Sequence, residues 1–217
     1  MQPLRRIRTF SDRYPLVGPS FWLLSVQYFL TQYFVARAWR MPFSLRFNTI
    51  SDLGNSACGA YAGRYVCSPD FSWMDASFIV LGVSMILGSG LIYHKFRRSS
   101  ASRLGFTAMA LAGFGTVLVG LFPENTTHYL HFVGALLPFL IGNLGLIILG
   151  LSLDISKGLK IYTILSGGIA LVGFVLFITR HYLGLEIGGM ERVTAYPQTL
   201  WLIVFGLYMS KNHFRRG

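Results

Sequence analysis

Phe122-Pro123-Glu124-Asn125-Thr126-Thr127-His128-Tyr129-Leu130-His131 is a polar island between two long apolar runs. Runs of about 20 apolar residues are long enough to cross the hydrocarbon core as helices, so the island marks the mouth between two spans. Pro123 cannot continue a helix backwards, and Asn125 and Thr126 can accept bonds from the first free N–H groups, which predicts a helix start at Asn125 or Thr126. Glu124, His128 and His131 stand at i, i+4 and i+7, one stripe of a helix face. Ionisable groups at the edge of a membrane segment are costly unless paired, hydrated or used. The island is therefore the first place to look for function.

Outward from the island the apolar pattern repeats. Spans are expected at about 17–36, 76–94, 104–122, 132–153, 161–181 and 197–210, which makes the chain an all-α membrane protein, a six-helix bundle in a single domain over residues 1–217. Composition agrees: 53% of residues are hydrophobic and only 12% charged, with a mean hydropathy of +0.53. That is too apolar for a soluble domain to cover with its own surface. The basic N-terminus leads into a full-length span with no small-residue cleavage pattern, so no removable signal peptide is expected.

Charge placement gives the orientation. With the N-terminus inside, Arg5, Arg6, Arg8, Arg13, Lys95, Arg97, Arg98, Arg103, Lys157, Lys160, Lys211, Arg215 and Arg216 fall in the cytoplasm. Arg37, Arg40, Arg46, Arg64, Arg180 and Arg192 fall outside, so the excess of positive charge within predicts both termini in the cytoplasm. The net charge of +11 is then mostly a topology signal. No soluble segment is long enough to build a basic surface for nucleic acid, and no such partner is expected.

Three polar stretches share the outer face in this topology. The first lies in the long 37–75 connection, where Asn48, Asp52 and Asn55 repeat the i, i+4, i+7 spacing and suggest a short amphipathic or re-entrant helix turned to a polar cavity; a solvated loop with Asn and Asp as turn formers is the plainer alternative. The same loop holds Cys58 and Cys67, the only cysteines. Two thiols in one outer loop, with a spacing unlike a Cys-x-x-Cys redox couple, predict a structural disulfide. The second stretch is the island. The third, Gly188-Gly189-Met190-Glu191-Arg192-Val193-Thr194-Ala195-Tyr196-Pro197-Gln198, pairs opposite charges beside a span, with glycines suited to a tight bend or close backbone approach. In span four, Pro138 predicts a kink and Asn143 needs a partner inside the bundle. Ala108, Ala112, Gly113, Gly115 and Gly120 permit close helix approach.

Asn48-Thr49-Ile50-Ser51-Asp52-Leu53-Gly54-Asn55, Tyr65-Val66-Cys67-Ser68-Pro69, Leu121-Phe122-Pro123-Glu124-Asn125 with His131, and Gly189-Met190-Glu191-Arg192 together resemble the domain-of-unknown-function family nine-nine-eight of prokaryotic multi-pass membrane proteins, over about residues 20–210. The resemblance implies a six-helix fold in a prokaryotic cell membrane and no established reaction. Activity has to be read from the site.

Two function classes compete. In one, Asp52, Glu124, His128, His131 and Glu191 are catalytic on a lipid or lipid-linked substrate entering from the bilayer, in a hydrolase or transferase whose cluster supplies a general base, its orienter and carboxylates. Asn48, Asn55, Arg192 and Tyr196 would bind substrate, Arg192 pairing with a phosphate or carboxylate. Asp52, His128 and His131 are the candidate ligands for a divalent metal, and zinc would suit two histidines and a carboxylate, although the spacing matches no zinc motif. In the other class the cluster is a non-enzymatic lipid-binding, sensor or accessory site whose polar groups satisfy one another. A haem reading ranks third, because His94 and His213 near one face and His128, His131 and His181 near the other are not placed at matching depth.

Overall fold

A computed structural model describes residues 10–96 and 99–214. The chain is mostly helical. Helices α1 (Val17–Leu23) and α2 (Val26–Arg37) precede a loop that holds a 3₁₀ turn (Ser51–Gly54) and the hairpin β1 (Gly59–Tyr61) and β2 (Arg64–Val66). Then come α3 (Phe71–Tyr93), α4 (Ser100–Leu121), α5 (His128–Leu136), a π turn (Leu137–Gly142), α6 (Asn143–Ser152), α7 (Lys157–Ile178) and α8 (Glu186–Phe214). Among the described residues four helices are long and apolar enough to cross a membrane: α3, α4, the continuous 128–152 segment and α7. Their outer faces stay apolar, as along α7, where Leu165, Ile169, Val172 and Val175 are all more than half exposed. Such a stripe needs an apolar medium.

The two remaining expected spans differ from the reading of the sequence. Residues 17–36 are not one helix: Ser25 N bonds Trp22 O at 3.1 Å and Tyr28 N bonds Ser25 O at 3.2 Å, a tightening to i−3 bonding that parts α1 from α2. The last helix begins at Glu186 and runs through Pro197, so the third polar stretch is helical and not a loop. Gly188 accordingly makes no bend. It lets the 45–48 turn seat on α8, where an added Cβ would stand 2.7 Å from the Asn48 carbonyl carbon and 2.9 Å from Leu45 O.

Packing follows the small residues. An added Cβ at Gly113 on α4 would stand 2.6 Å from Gly82 O on α3, so these helices cross with backbones nearly touching. At the other end of the bundle Trp22, Trp201 and Phe205 form a fully buried aromatic knot, with centroids 5.2 Å and 4.7 Å apart along the series Trp22, Trp201, Phe205. Trp201 Nε1 donates to Thr163 Oγ1 at 2.8 Å. Pro138 sits in the π turn, and Asn143 Nδ2 meets its need for partners at Phe139 O (2.9 Å) and Thr194 O (3.3 Å). Single π turns inside helices recur at functional sites.

Several residues carrying the orientation argument, Arg5, Arg6, Arg8, Arg97, Arg98, Arg215 and Arg216, lie outside the described residues, as does the side chain of His213.

Candidate functional site

The loop over the bundle is built locally. Thr49 N donates to Asp52 Oδ2 at 2.9 Å and Asp52 N donates to Thr49 Oγ1 at 3.0 Å, a reciprocal box that starts the 3₁₀ turn. Asn48, Asp52 and Asn55 therefore do not share a helix face. Asn48 closes the preceding turn by accepting from Ser44 N at 3.0 Å, and Asn55 is already extended. Next comes a two-residue hairpin whose turn positions, Ala62 (φ 47°) and Gly63 (φ 80°), are both left-handed, the backbone that matches strand twist. The Cys58–Cys67 disulfide closes its base.

This hairpin delivers Arg64 to Asp52. Arg64 Nε reaches Asp52 Oδ2 at 2.7 Å and Nη2 reaches Oδ1 at 2.6 Å, a two-pronged pair. Asp52 is wholly buried, and Asn48 Nδ2 also donates to it at 3.3 Å. With donors from Arg64, Thr49 and Asn48 converging on it, Asp52 organises the loop. The carboxylate in turn favours the charged form of Arg64.

Glu124 stands 4.0 Å from Arg64 Nη2 and accepts from Asn55 Nδ2 at 3.2 Å. Burial, with Asp52 and Glu191 adding negative charge, raises its carboxyl to about 9. The ordinary value is 4.5, so folding favours the protonated acid; the resulting stability is full below that value and is lost as pH rises toward about 9. Across that window the wild type should lose stability faster than Glu124→Gln, whose amide mimics the protonated acid, by up to about 1.4 kcal/mol per pH unit. Thermal unfolding at a series of pH values measures this, and parallel profiles would overturn it.

The histidines part company. Helix α5 starts at His128, with Thr127 before it, because Thr126 N and Thr127 N both bond back to Pro123 O at 3.1 Å and close a turn first. Glu124 is thus outside the helix, and of the three ionisable residues only the histidines are helical, as a start after Glu124 requires. His128 is exposed, its Nδ1 3.1 Å from Tyr61 Oη. His131, 6% exposed, turns inward. Its Nδ1 lies 2.8 Å from Phe122 O and its Nε2 2.9 Å from Ser51 Oγ. A carbonyl only accepts, so Nδ1 carries the proton and Nε2 is left to accept from the Ser51 hydroxyl.

Glu191, 3% exposed, completes the group. Its Oε2 accepts from Ile50 N, and Ser51 Oγ lies 3.3 Å from its Oε1. A helix residue 140 positions away thus fixes the turn that presents Ser51. Below lies a narrow cleft of about 40 Å³, headed by Ser51 and Glu191 and walled by Phe78, Leu81, Met85 and Phe139, with Gln198 also lining it. Pro138 and Phe139 of the π turn are part of that wall.

Of the residues expected to bind substrate, Arg192 points away from this cavity. Its Nη1 donates to Leu45 O, Asn48 O and Gly188 O at 3.0, 2.8 and 2.8 Å. Tyr196 donates to Gln32 Oε1 at 2.8 Å. Among the described residues no three of His, Cys, Asp and Glu converge as a metal centre: of the expected metal ligands, Asp52 is held by Arg64, His128 is exposed and His131 is engaged through both nitrogens. Ser51, Arg64 and Tyr61 were not singled out from the sequence. Arg64 is the only charged residue between the two cysteines, and Ser51 lies inside a Thr-x-x-Asp box; both were readable signals.

Long apolar helices under a disulfide-closed loop, with buried ionisable groups between them, define a helical membrane protein with a roofed polar site. The family model described as "Protein of unknown function (DUF998)" matches residues 23–208, and the chain belongs to that family. No curated protein and no solved structure matches it.

Proposed function

We propose that the protein is a membrane hydrolase or transferase acting on an acyl ester or a related carbonyl group of a lipid or lipid-linked substrate. Ser51 is the nucleophile and His131 the general base. The observation that carries this reading is the 2.9 Å contact of Ser51 Oγ with His131 Nε2 at the head of a narrow, largely apolar cleft. In the reaction Ser51 Oγ attacks the carbonyl carbon and its proton passes to His131 Nε2. The tetrahedral adduct expels the alcohol, which leaves with that proton; water, or an acceptor alcohol, then repeats the sequence and frees Ser51. The Phe122 carbonyl orients the imidazole, and Glu191 positions Ser51 through the Ile50 amide. Charge placement supports a site on the extracytoplasmic face of a cell membrane, with both termini inside.

An alkyl fluorophosphonate, which phosphonylates activated serines, tests the assignment. Peptide mapping should find the adduct on Ser51 in the folded wild type and lose it in His131→Gln. An unmodified Ser51 in the folded protein rejects the nucleophile and leaves the second reading, a non-enzymatic lipid-binding site. That reading is favoured by the saturation of Asp52.

A further inference from the structure

We infer that a second groove, between α2 and α8 beneath residues 39–45, binds an anionic group, a phosphate or carboxylate, carried on an amphiphile. The groove encloses about 1070 Å³, its open mouth included, and Gln32, Trp39, Phe43, Arg192 and Tyr196 are among its walls. The Ser51–Gly54 turn stands between it and the first cavity: Ser51 lines one and Leu53 the other. Glu191 and Arg192, consecutive on α8, divide in the same way.

Donors outnumber acceptors here. Arg192 is 8% exposed, yet its Nε and Nη2 have no hydrogen-bond partner. Gln32 Nε2 and Trp39 Nε1, on residues 6% and 9% exposed, have none either. The Tyr196 hydroxyl oxygen is the one side-chain acceptor beside the guanidinium, and its own proton is given to Gln32 Oε1. Among the described residues no carboxylate lies within ion-pair distance of Arg192, and no Asp or Glu lines the groove. Its partners are three carbonyls, the Tyr196 hydroxyl and the Phe43 ring, 5.6 Å away.

Glu191 acts on Arg192 electrostatically without bonding it, so the guanidinium keeps unbonded N–H groups next to other buried N–H groups lacking acceptors; such groups are costly, and one anion answers them all. Phe29 and Tyr33 continue the wall, and Tyr33, Met41 and Leu45 at its rim are each more than half exposed. That apolar rim suits the chains of an amphiphile, and the exposed Arg37 adds positive charge at the entrance. The site stands apart from Ser51, so the inference does not depend on the esterase reading.

The test uses the purified full chain in neutral detergent. Dihexanoyl-phosphatidylglycerol, dihexanoylglycerol and inorganic phosphate are each titrated, below micelle formation for the lipids, with binding read by the rise in Tm and by isothermal titration calorimetry. The phospholipid should bind at least tenfold more tightly than the uncharged diglyceride and should raise Tm. Gln32→Leu and Trp39→Phe, which delete unpartnered donors and leave the Arg192 contacts to backbone intact, should each weaken it several-fold. Arg192→Gln should abolish the preference for the charged lipid; if that variant fails to fold, the two milder variants decide. Phosphate that competes at equal affinity assigns the site to a free anion of the same chemistry. Equal binding of charged and uncharged lipid, or no change in Gln32→Leu and Trp39→Phe, overturns the site.

Discussion

Arg64→Met is expected to destabilise the protein by about 3–5 kcal/mol, the usual cost of removing one partner of a buried ion pair. Asp52 has no exposed side-chain surface and Arg64 has 15%. Loss of the guanidinium leaves a carboxylate away from water with only neutral donors, Thr49 N, Asn48 Nδ2 and the Glu124 carboxyl. The double variant Arg64→Met, Asp52→Asn should regain much of the loss, because a neutral amide needs no counter-charge. Denaturant or thermal unfolding in detergent measures both. Single and double variants of equal stability would show that the pair does not hold the loop.

The second large effect concerns turnover. With a p-nitrophenyl ester of a medium-chain acid as a generic substrate, Ser51→Ala should abolish acyl transfer and His131→Gln should lower kcat by about 10²–10⁴-fold. Gln is the informative replacement. Its amide can still donate to Phe122 O and accept from Ser51, but it cannot carry the proton away. A structural histidine would be largely rescued by Gln, whereas a base would not. Loss of rate with Tm nearly unchanged supports the base; unchanged rate, or rate lost only in step with stability, counts against it.

Much of the architecture was written in the apolar periodicity. The four long spans were expected within five residues of where they begin, because a 20-residue apolar run has few alternatives in a membrane. The cysteine pair was equally legible from its count and spacing. The interruption at Leu24 and Ser25 was not, since a shift from i−4 to i−3 bonding leaves the hydropathy pattern unchanged. Nor was the early start of α8: Gly188 and Gly189 read as a bend, although their use is to admit the Asn48 carbonyl. At the site, Glu124, His131, Glu191 and Asp52 were recognised by being ionisable in an apolar setting. Ser51 escaped that filter because a hydroxyl carries no charge, and its partner lies 80 residues away. Equal spacing also misled at His128 and His131, which a helix beginning only at His128 aims to different environments.

The roof and the site beneath it are joined over very different lengths of chain. The disulfide links residues 9 apart, and the Asp52–Arg64 pair residues 12 apart, so the roof can close from its own contacts. Ser51 meets His131 only across 80 residues, and Ile50 meets Glu191 only across 141. In a chain made from the N-terminus onward, the roof is formed early and waits. On the proposed chemistry, the serine stays inert through most of synthesis, without a base until the fourth long apolar stretch of the insertion order is begun and without its final anchor until α8 arrives. Reactivity is thereby deferred until the protein is whole.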